Sequence, residues 1–189
     1  VFLVVQAPPS PDKRGKGEHF TLFCKTGLVI TFEEKPTKLI DSIWERLQSE
    51  KVNAAGRFTH MAELVLYMVL DLTVDGFFPH LDRKDEALDE LEQGISGHVP
   101  SLEELNRLHQ VKRDLITLRR LLSPFKELRQ DLPKMLSDNA AKELRPYLND
   151  LGDHVIQAGE LLDTYYEVAK SLDEISQSAL SNRMNDIIK

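Results

Sequence analysis

Apolar positions along the chain change their spacing once, early, from strand-like to helical. "VFLVVQA" (1–7), "HFTLFCKTG" (19–27) and "LVITFE" (28–33) are short runs rich in β-branched and aromatic residues, parted by "PPSPDKRGKGE" and by Gly27. Runs of this kind between turn-forming residues predict a three-stranded meander with a tight turn at Gly27. Residues 37–50, "TKLIDSIWERLQSE", then take helical spacing, with Leu39, Ile43, Trp44 and Leu47 on one face that can cover the thin sheet. Trp44 reads as core packing there.

After "KVNAAGRFT" the pattern stays helical. One long helix is expected from about Thr59 to Ile95, with Met61, Leu64, Val65, Met68, Leu72, Leu88 and Leu91 apolar, and with Gly76 and Pro79 kinking rather than stopping it. "GISGHVP" makes a turn. Ser101 and Glu104 form a capping box, opening a second helix whose Leu108, Val111, Leu115, Leu118, Leu122 and Phe125 alternate spacings of three and four. The short connection predicts antiparallel packing, and Pro124 a bend.

A third helix begins near Asp138 and holds the same seam through Leu144, Leu148, Leu151, Val155, Ala158, Leu162, Tyr165, Ala169 and Leu172. No stop signal follows, so it would run for about 78 Å at 1.5 Å per residue, and the chain reads as cut at its back end. The expected fold is α+β: a small antiparallel β-meander with a covering helix, followed by three long helices in an elongated antiparallel bundle with a very long C-terminal helix. Residues 1–58 would be a partial α/β domain lacking its N-terminal part, and residues 59–189 the helical bundle.

Beyond Leu172 the apolar stripe dissolves. Glu174, Ser178, Ser181, Asn185 and Ile188 recur at intervals of four, three, four and three, while Ile175, Leu180, Met184 and Ile187 lie off that face. The polar stripe reads either as solvated surface or as the lining of a channel enclosed by a symmetric bundle of copies.

Charge narrows the field. Against 31 acidic residues stand 24 basic ones, a formal net charge of −7, which is the wrong sign for a nucleic-acid surface and suits a cation-binding one. The single cysteine, Cys24, permits no internal disulfide and sits in an apolar run, which fits a buried inert thiol in a reducing compartment. No stretch approaches the roughly 20 apolar residues of a membrane-spanning helix, and "VFLVVQAPP" lacks an initiator Met and a basic leader, so a soluble piece cut at its front is expected.

Candidate chemistry is sparse. In "LNDLGDHVIQ", Asp150 and His154 share a helix face with Asp153 adjacent, and Asp71 interrupts the apolar run "LVLYMVLDLTV". Oxygen-rich groupings suit Mg2+, which needs only one or two carboxylates, although Asp and His four apart on a charged helix are commonly solvated or paired with lysine. Asp71 needs a partner in any case, because an isolated carboxylate in apolar surroundings is costly. The acidic segment "DRKDEALDELEQG" (82–94) reads as a solvated helix tip or a cation-attracting surface. With no glycine-rich phosphate loop, "GxSxG", "HExxH" or Cys–His pairing, no enzymatic activity is expected.

The stretches "LDLTVDGFFPHLDRKDEALDELE", "NRLHQVKRDLITLRRLLSPFKELRQDLP" and "PYLNDLGDHVIQAGELLDTYYEVAKSLDEISQSALSNRMNDIIK" resemble the cytoplasmic domain of the CorA family of divalent-cation transporters. "HQVKRDL", "DHVIQ" and "SNRMNDIIK" carry the resemblance most specifically. It implies a homopentameric Mg2+ channel at the cytoplasmic face of the cell membrane, able to take Co2+, Ni2+ or Zn2+, with two transmembrane helices and a Gly-Met-Asn signature beyond Lys189. It also implies inter-subunit metal sites using Asp71 and Asp150 with His154 nearby, completed by acidic residues preceding Val1; Asp153, beside His154, is a further metal candidate from the residue pattern alone. Positions matching Glu174, Asn185 and Ile188 line the family's pore at its cytoplasmic end, and Ser181, on the same helix stripe, would join them there. A same-fold zinc transporter is the alternative within the family, and a helical scaffold without an ion role the alternative outside it.

Overall fold

The computed structural model describes residues 1–9, 17–25, 27–33, 38–54, 58–95 and 98–188, with side chains of 40–48 only in the first helix. The loop expected over residues 10–16 and the centre of the turn at 96–97 lie outside the described residues.

Three strands, β1 (Phe2–Ala7), β2 (Glu18–Lys25) and β3 (Leu28–Glu33), form an antiparallel sheet in the order β1-β2-β3, as the meander predicts. Gly27 enters the β2–β3 turn at φ 76°, a left-handed conformation that glycine adopts without a Cβ clash. The register pairs Val5 with Phe20 and Leu3 with Leu22, so Val5, Phe20, Leu22 and Cys24 fall on one buried face. Phe2, Val4, Phe23, Ile30 and Phe32 fall on the opposite, exposed face.

The helix packed on the sheet is α2 (Met61–Asp75), which touches β2 and β3, α1 (Lys38–Ala54) and α6 (Arg145–Ile188). Being enclosed on several sides explains its sequence: Leu64, Leu66, Tyr67, Met68, Val69, Leu70 and Val74 are all buried, and a helix apolar all round must be interior. Two side chains depart from expectation. Met61, the first residue of α2, is 39% exposed, and Trp44 is 59% exposed. Helix α1 rests mainly on α2 through buried Ile43 and half-buried Ile40 and Leu47; Trp44, one residue and about 100° round from Ile43, is turned off that stripe. Leu39, expected beside them, lies outside the described side chains.

Where a single kinked helix is predicted over 59–95, the chain forms α2 and α3 (Phe78–Ile95), parted by a turn at Gly76 and Phe77. The Phe77 amide bonds to Val74 O at 2.9 Å, a tightened last turn, and Pro79 falls in the first turn of α3 where its missing N–H is harmless. Helix α4 (Leu102–Met135) carries the predicted capping box, with the Glu104 amide donating to Ser101 Oγ at 3.2 Å and Glu104 Oε2 accepting from the Ser101 amide at 2.7 Å. It runs through both Pro124 and Pro133, and every residue of its predicted seam is buried.

The third expected helix is also divided, into α5 (Asp138–Glu143) and α6, with Leu144 between them at φ −91°, ψ 2°. Pro146 accounts for the break: it has no amide hydrogen, and its ring clashes with the carbonyl four residues earlier in a continuous helix. From there α6 is uninterrupted for 44 residues. Its seam, Leu148, Leu151, Val155, Ala158, Leu162, Ala169 and Leu172, packs chiefly against α4, and the aliphatic stems of Arg129 and Lys126 lie over Gly152 and Gly159. Tyr165 is only half-buried.

Polar ties fix the crossing. Lys112 Nζ donates to Asp173 Oδ2 at 2.6 Å, Arg119 pairs with Asp163 and stacks over Tyr166, and Lys84 of α3 pairs with Asp114. At the opposite end Glu143 accepts the amides of Thr59 and His60 at 2.7 and 3.3 Å and meets His60 Nδ1 at 2.8 Å. That carboxylate serves as a cap from a distant element for the start of α2.

Candidate metal centre

Asp71 sits in the middle of α2, where the helix is enclosed, and its side chain is only 6% exposed. Helix α6 crosses α2 so that Asp150 and His154, one turn apart, face it. One ligand-capable atom from each of Asp71, Asp150 and His154 lies within 4.8 Å of the other two. His154 Nδ1 is 3.6 Å from Asp71 Oδ1, and Nε2 is 4.0 Å from Asp150 Oδ1.

Asp75, one turn beyond Asp71, approaches the same imidazole, its Oδ1 3.2 Å from Nδ1. In the sequence Asp75 stands inconspicuously at the polar end of α2; its spacing of four from Asp71 is the available signal. Arg46 of α1 reaches Asp71 Oδ2 at 3.9 Å, and the Phe78 ring meets the His154 ring edge-on at 6.0 Å between centroids. Asp153 is exposed in a separate groove between α4 and α6 with Arg129, Gln130 and Pro133, and the geometry does not gather it with the other three.

The electrostatics are those of an under-compensated cluster. Burial pushes the Asp71 carboxyl up from its ordinary value and the neighbouring Asp75 charge pushes it further, against a hydrogen bond from Tyr67 and the opposing pull of His154 and Arg46. Burial, followed by the charges of Asp71 and Asp150, likewise drives the Tyr67 hydroxyl upward. Asp71 Oδ1 and His154 Nδ1 are buried with no hydrogen-bond partner among the described residues. The orphaned Asp71 Oδ1 marks a place that a cation can complete, since an unpaired buried polar atom costs about 1–3 kcal/mol. The donor set, two carboxylates and one imidazole, accepts a hydrated Mg2+ through oxygen and a Co2+, Ni2+ or Zn2+ through oxygen and nitrogen.

The other predicted positions lie far along α6. Glu174, Ser181, Asn185 and Ile188 are all exposed, as is every described residue from Leu180 onward, whereas Ser176 is fully buried with its hydroxyl on Leu172 O at 2.7 Å. No helix among the described residues is long and apolar enough to cross a membrane.

A family model described as CorA-like Mg2+ transporter protein matches residues 1–189. The cobalt/magnesium transport protein CorA of Thermotoga maritima is 29% identical over 174 residues, covering 92% of this chain and 48% of that protein. This chain therefore spans about half the length of that relative. The CorA magnesium transporter from Methanocaldococcus jannaschii has the same fold, with a TM-score of 0.77 at 18% identity over 99% of this chain and 58% of that one. The ZntB cytoplasmic domain from Vibrio parahaemolyticus gives 0.73 at 14% identity over 97% and 69%.

Proposed function

This chain belongs to the CorA-like Mg2+ transporter family, and on that premise we propose that it is the cytoplasmic metal-sensing and gating part of a homopentameric Mg2+ channel, with Co2+ as a second cargo. The observation that carries the reading is the buried Asp71 carboxylate, with an orphaned oxygen beside Asp150 and His154, at the crossing of α2 and α6. Asp71, Asp150 and His154 would hold a divalent ion, with Asp153 contributing negative charge from the neighbouring groove. Residues 1–58 act as the α/β part and residues 59–189 as the long-helix part leading toward the membrane.

The mechanism is electrostatic and conformational. A bound divalent cation neutralises carboxylates that otherwise repel and holds α2 and α6 in one arrangement; its loss lets the like charges separate and shifts α6. Glu174, Ser181, Asn185 and Ile188, exposed on the free length of α6, would then face a shared axis in the pentamer and line the cytoplasmic end of the pore. In this role the protein is no enzyme.

A zinc-transporting role is the second reading, favoured by the imidazole at the centre, since His154 suits Zn2+ better than Mg2+. Isothermal titration of the 189-residue chain with Mg2+ tests the main proposal. Saturable binding, weakened at least tenfold by Asp150→Ala, is the expected result. Absence of saturable binding of either Mg2+ or Zn2+ would leave a helical scaffold without an ion role as the better account.

A further inference from the structure

An imidazole that binds a metal through one nitrogen almost always gives its other N–H to a carboxylate, carbonyl or water, and that second contact fixes both the tautomer and the ring angle. His154 has the groups for this arrangement around it. Its Nε2 faces Asp150 Oδ1 at 4.0 Å, and both residues belong to the group of three that could share an ion. Its Nδ1, buried and without a satisfied hydrogen bond, has Asp75 Oδ1 as the nearer of two carboxylate oxygens, at 3.2 Å against 3.6 Å for Asp71. The edge-on Phe78 ring borders the imidazole. Asp75 itself lies outside the group of three that could share an ion.

We propose that Asp75 is the positioning residue of this centre: its carboxylate accepts a hydrogen bond from His154 Nδ1–H, turns the Nε2 lone pair toward the place where Asp71 and Asp150 would hold an ion, and so raises the affinity for nitrogen-accepting ions such as Zn2+ relative to Mg2+. The inference rests on the reading that Asp71, Asp150 and His154 hold a divalent ion. With the Nδ1 proton committed to Asp75, Asp71 Oδ1 is left to the ion, so one contact settles two ligands. Mg2+ prefers oxygen and retains most of its water, so it draws little from the imidazole; Zn2+ accepts imidazole nitrogen readily. Asp75 therefore acts on selectivity more than on the presence of binding.

The test compares Asp75→Ala and Asp75→Asn with the unaltered chain, titrating each with Mg2+ and with Zn2+ and recording ring 15N resonances of His154, assigned through His154→Gln. Removal of a charge alone weakens both ions together; loss of positioning weakens Zn2+ preferentially. The expected result is a Zn2+-over-Mg2+ affinity ratio about tenfold lower in Asp75→Ala, with Nδ1–H no longer the dominant tautomer. The amide oxygen of Asp75→Asn still accepts from Nδ1, and the ratio should stay within about twofold of the unaltered chain. An unchanged ratio and tautomer in Asp75→Ala would overturn the inference while leaving the metal centre standing. Unchanged binding of both ions in Asp71→Asn would instead overturn the metal centre itself.

Discussion

Helix α6 is two different objects joined end to end. From Leu148 to Ser176 its inward face is buried at nearly every seam position, tied to α4 by Lys112–Asp173 and Arg119–Asp163, and it carries two of the three residues of the candidate metal centre. From Leu180 to Ile188 no described residue buries it: Met184, Ile187 and Ile188 are 61%, 70% and 76% exposed. Backbone geometry is the same along both lengths. What differs is whether an apolar face has a partner, and most helical stability in proteins comes from that packing rather than from propensity. The inner length is therefore stabilised by packing within this chain, and the outer length draws none of that stabilisation from the described residues.

The contrast can be broken most strongly from the inner side. Leu162 is 1% exposed, and Leu162→Ala should cost about 2–5 kcal/mol in denaturant unfolding. A loss below about 1 kcal/mol would mean that the seam is not packed as described.

Asp71 and Asp173 give the next two effects, with opposite signs. The Asp71 carboxyl is raised, so the folded state holds its proton more tightly than the unfolded chain does. Its contribution is therefore fully favourable below the unfolded value and is lost as pH rises through the raised one. Asp71→Asn should raise the metal-free thermal midpoint at neutral pH by about 2–4 °C per kcal/mol relieved, while abolishing stabilisation by Mg2+. Asp173 is held below its ordinary value, first by the hydrogen bond from Lys112 and then by the Lys112 charge. Its stabilisation is present above the unfolded value and disappears as pH falls through the depressed one. Asp173→Asn should cost about 1 kcal/mol at pH 7 and flatten the acid limb of the stability curve. An acid limb as steep as that of the unaltered chain would remove the Lys112–Asp173 tie from the account.

The smallest effect belongs to the outer length. Ile187→Ala should change unfolding free energy by less than about 0.5 kcal/mol, and amides of residues 180–188 should exchange far faster than those of 148–172. Slow exchange in the outer length of the isolated chain would erase the distinction between the two.

Much of this was legible in the sequence, for a physical reason. The seams of α4 and α6 are regular because each faces one neighbour along a single stripe, and regular spacing survives in the residue order. Trp44 escapes that logic because α1 offers a narrow stripe to α2, and nothing local says that the indole falls outside it. The division of α5 from α6 was written at Pro146 but outvoted by the continuous apolar pattern from Leu144 to Leu148. Asp71, Asp150 and His154 could be singled out one by one, since a carboxylate in an apolar run and an Asp–His pair one turn apart each stand out. Their meeting depends on how α2 crosses α6, which no local pattern contains. Asp75 emerged only from that crossing.

The interruption at Leu144 turns α6 into a lever. Glu143 anchors the chain immediately before it to the start of α2, and the helix beyond it is continuous for 44 residues. Asp150 and His154 sit roughly 12 Å from that fulcrum along the axis and Ile188 roughly 66 Å, at 1.5 Å per residue. A rigid rod pivoting there would carry its far end about fivefold further than the carboxylate cluster, so a given rotation would be felt most where the helix has left α4.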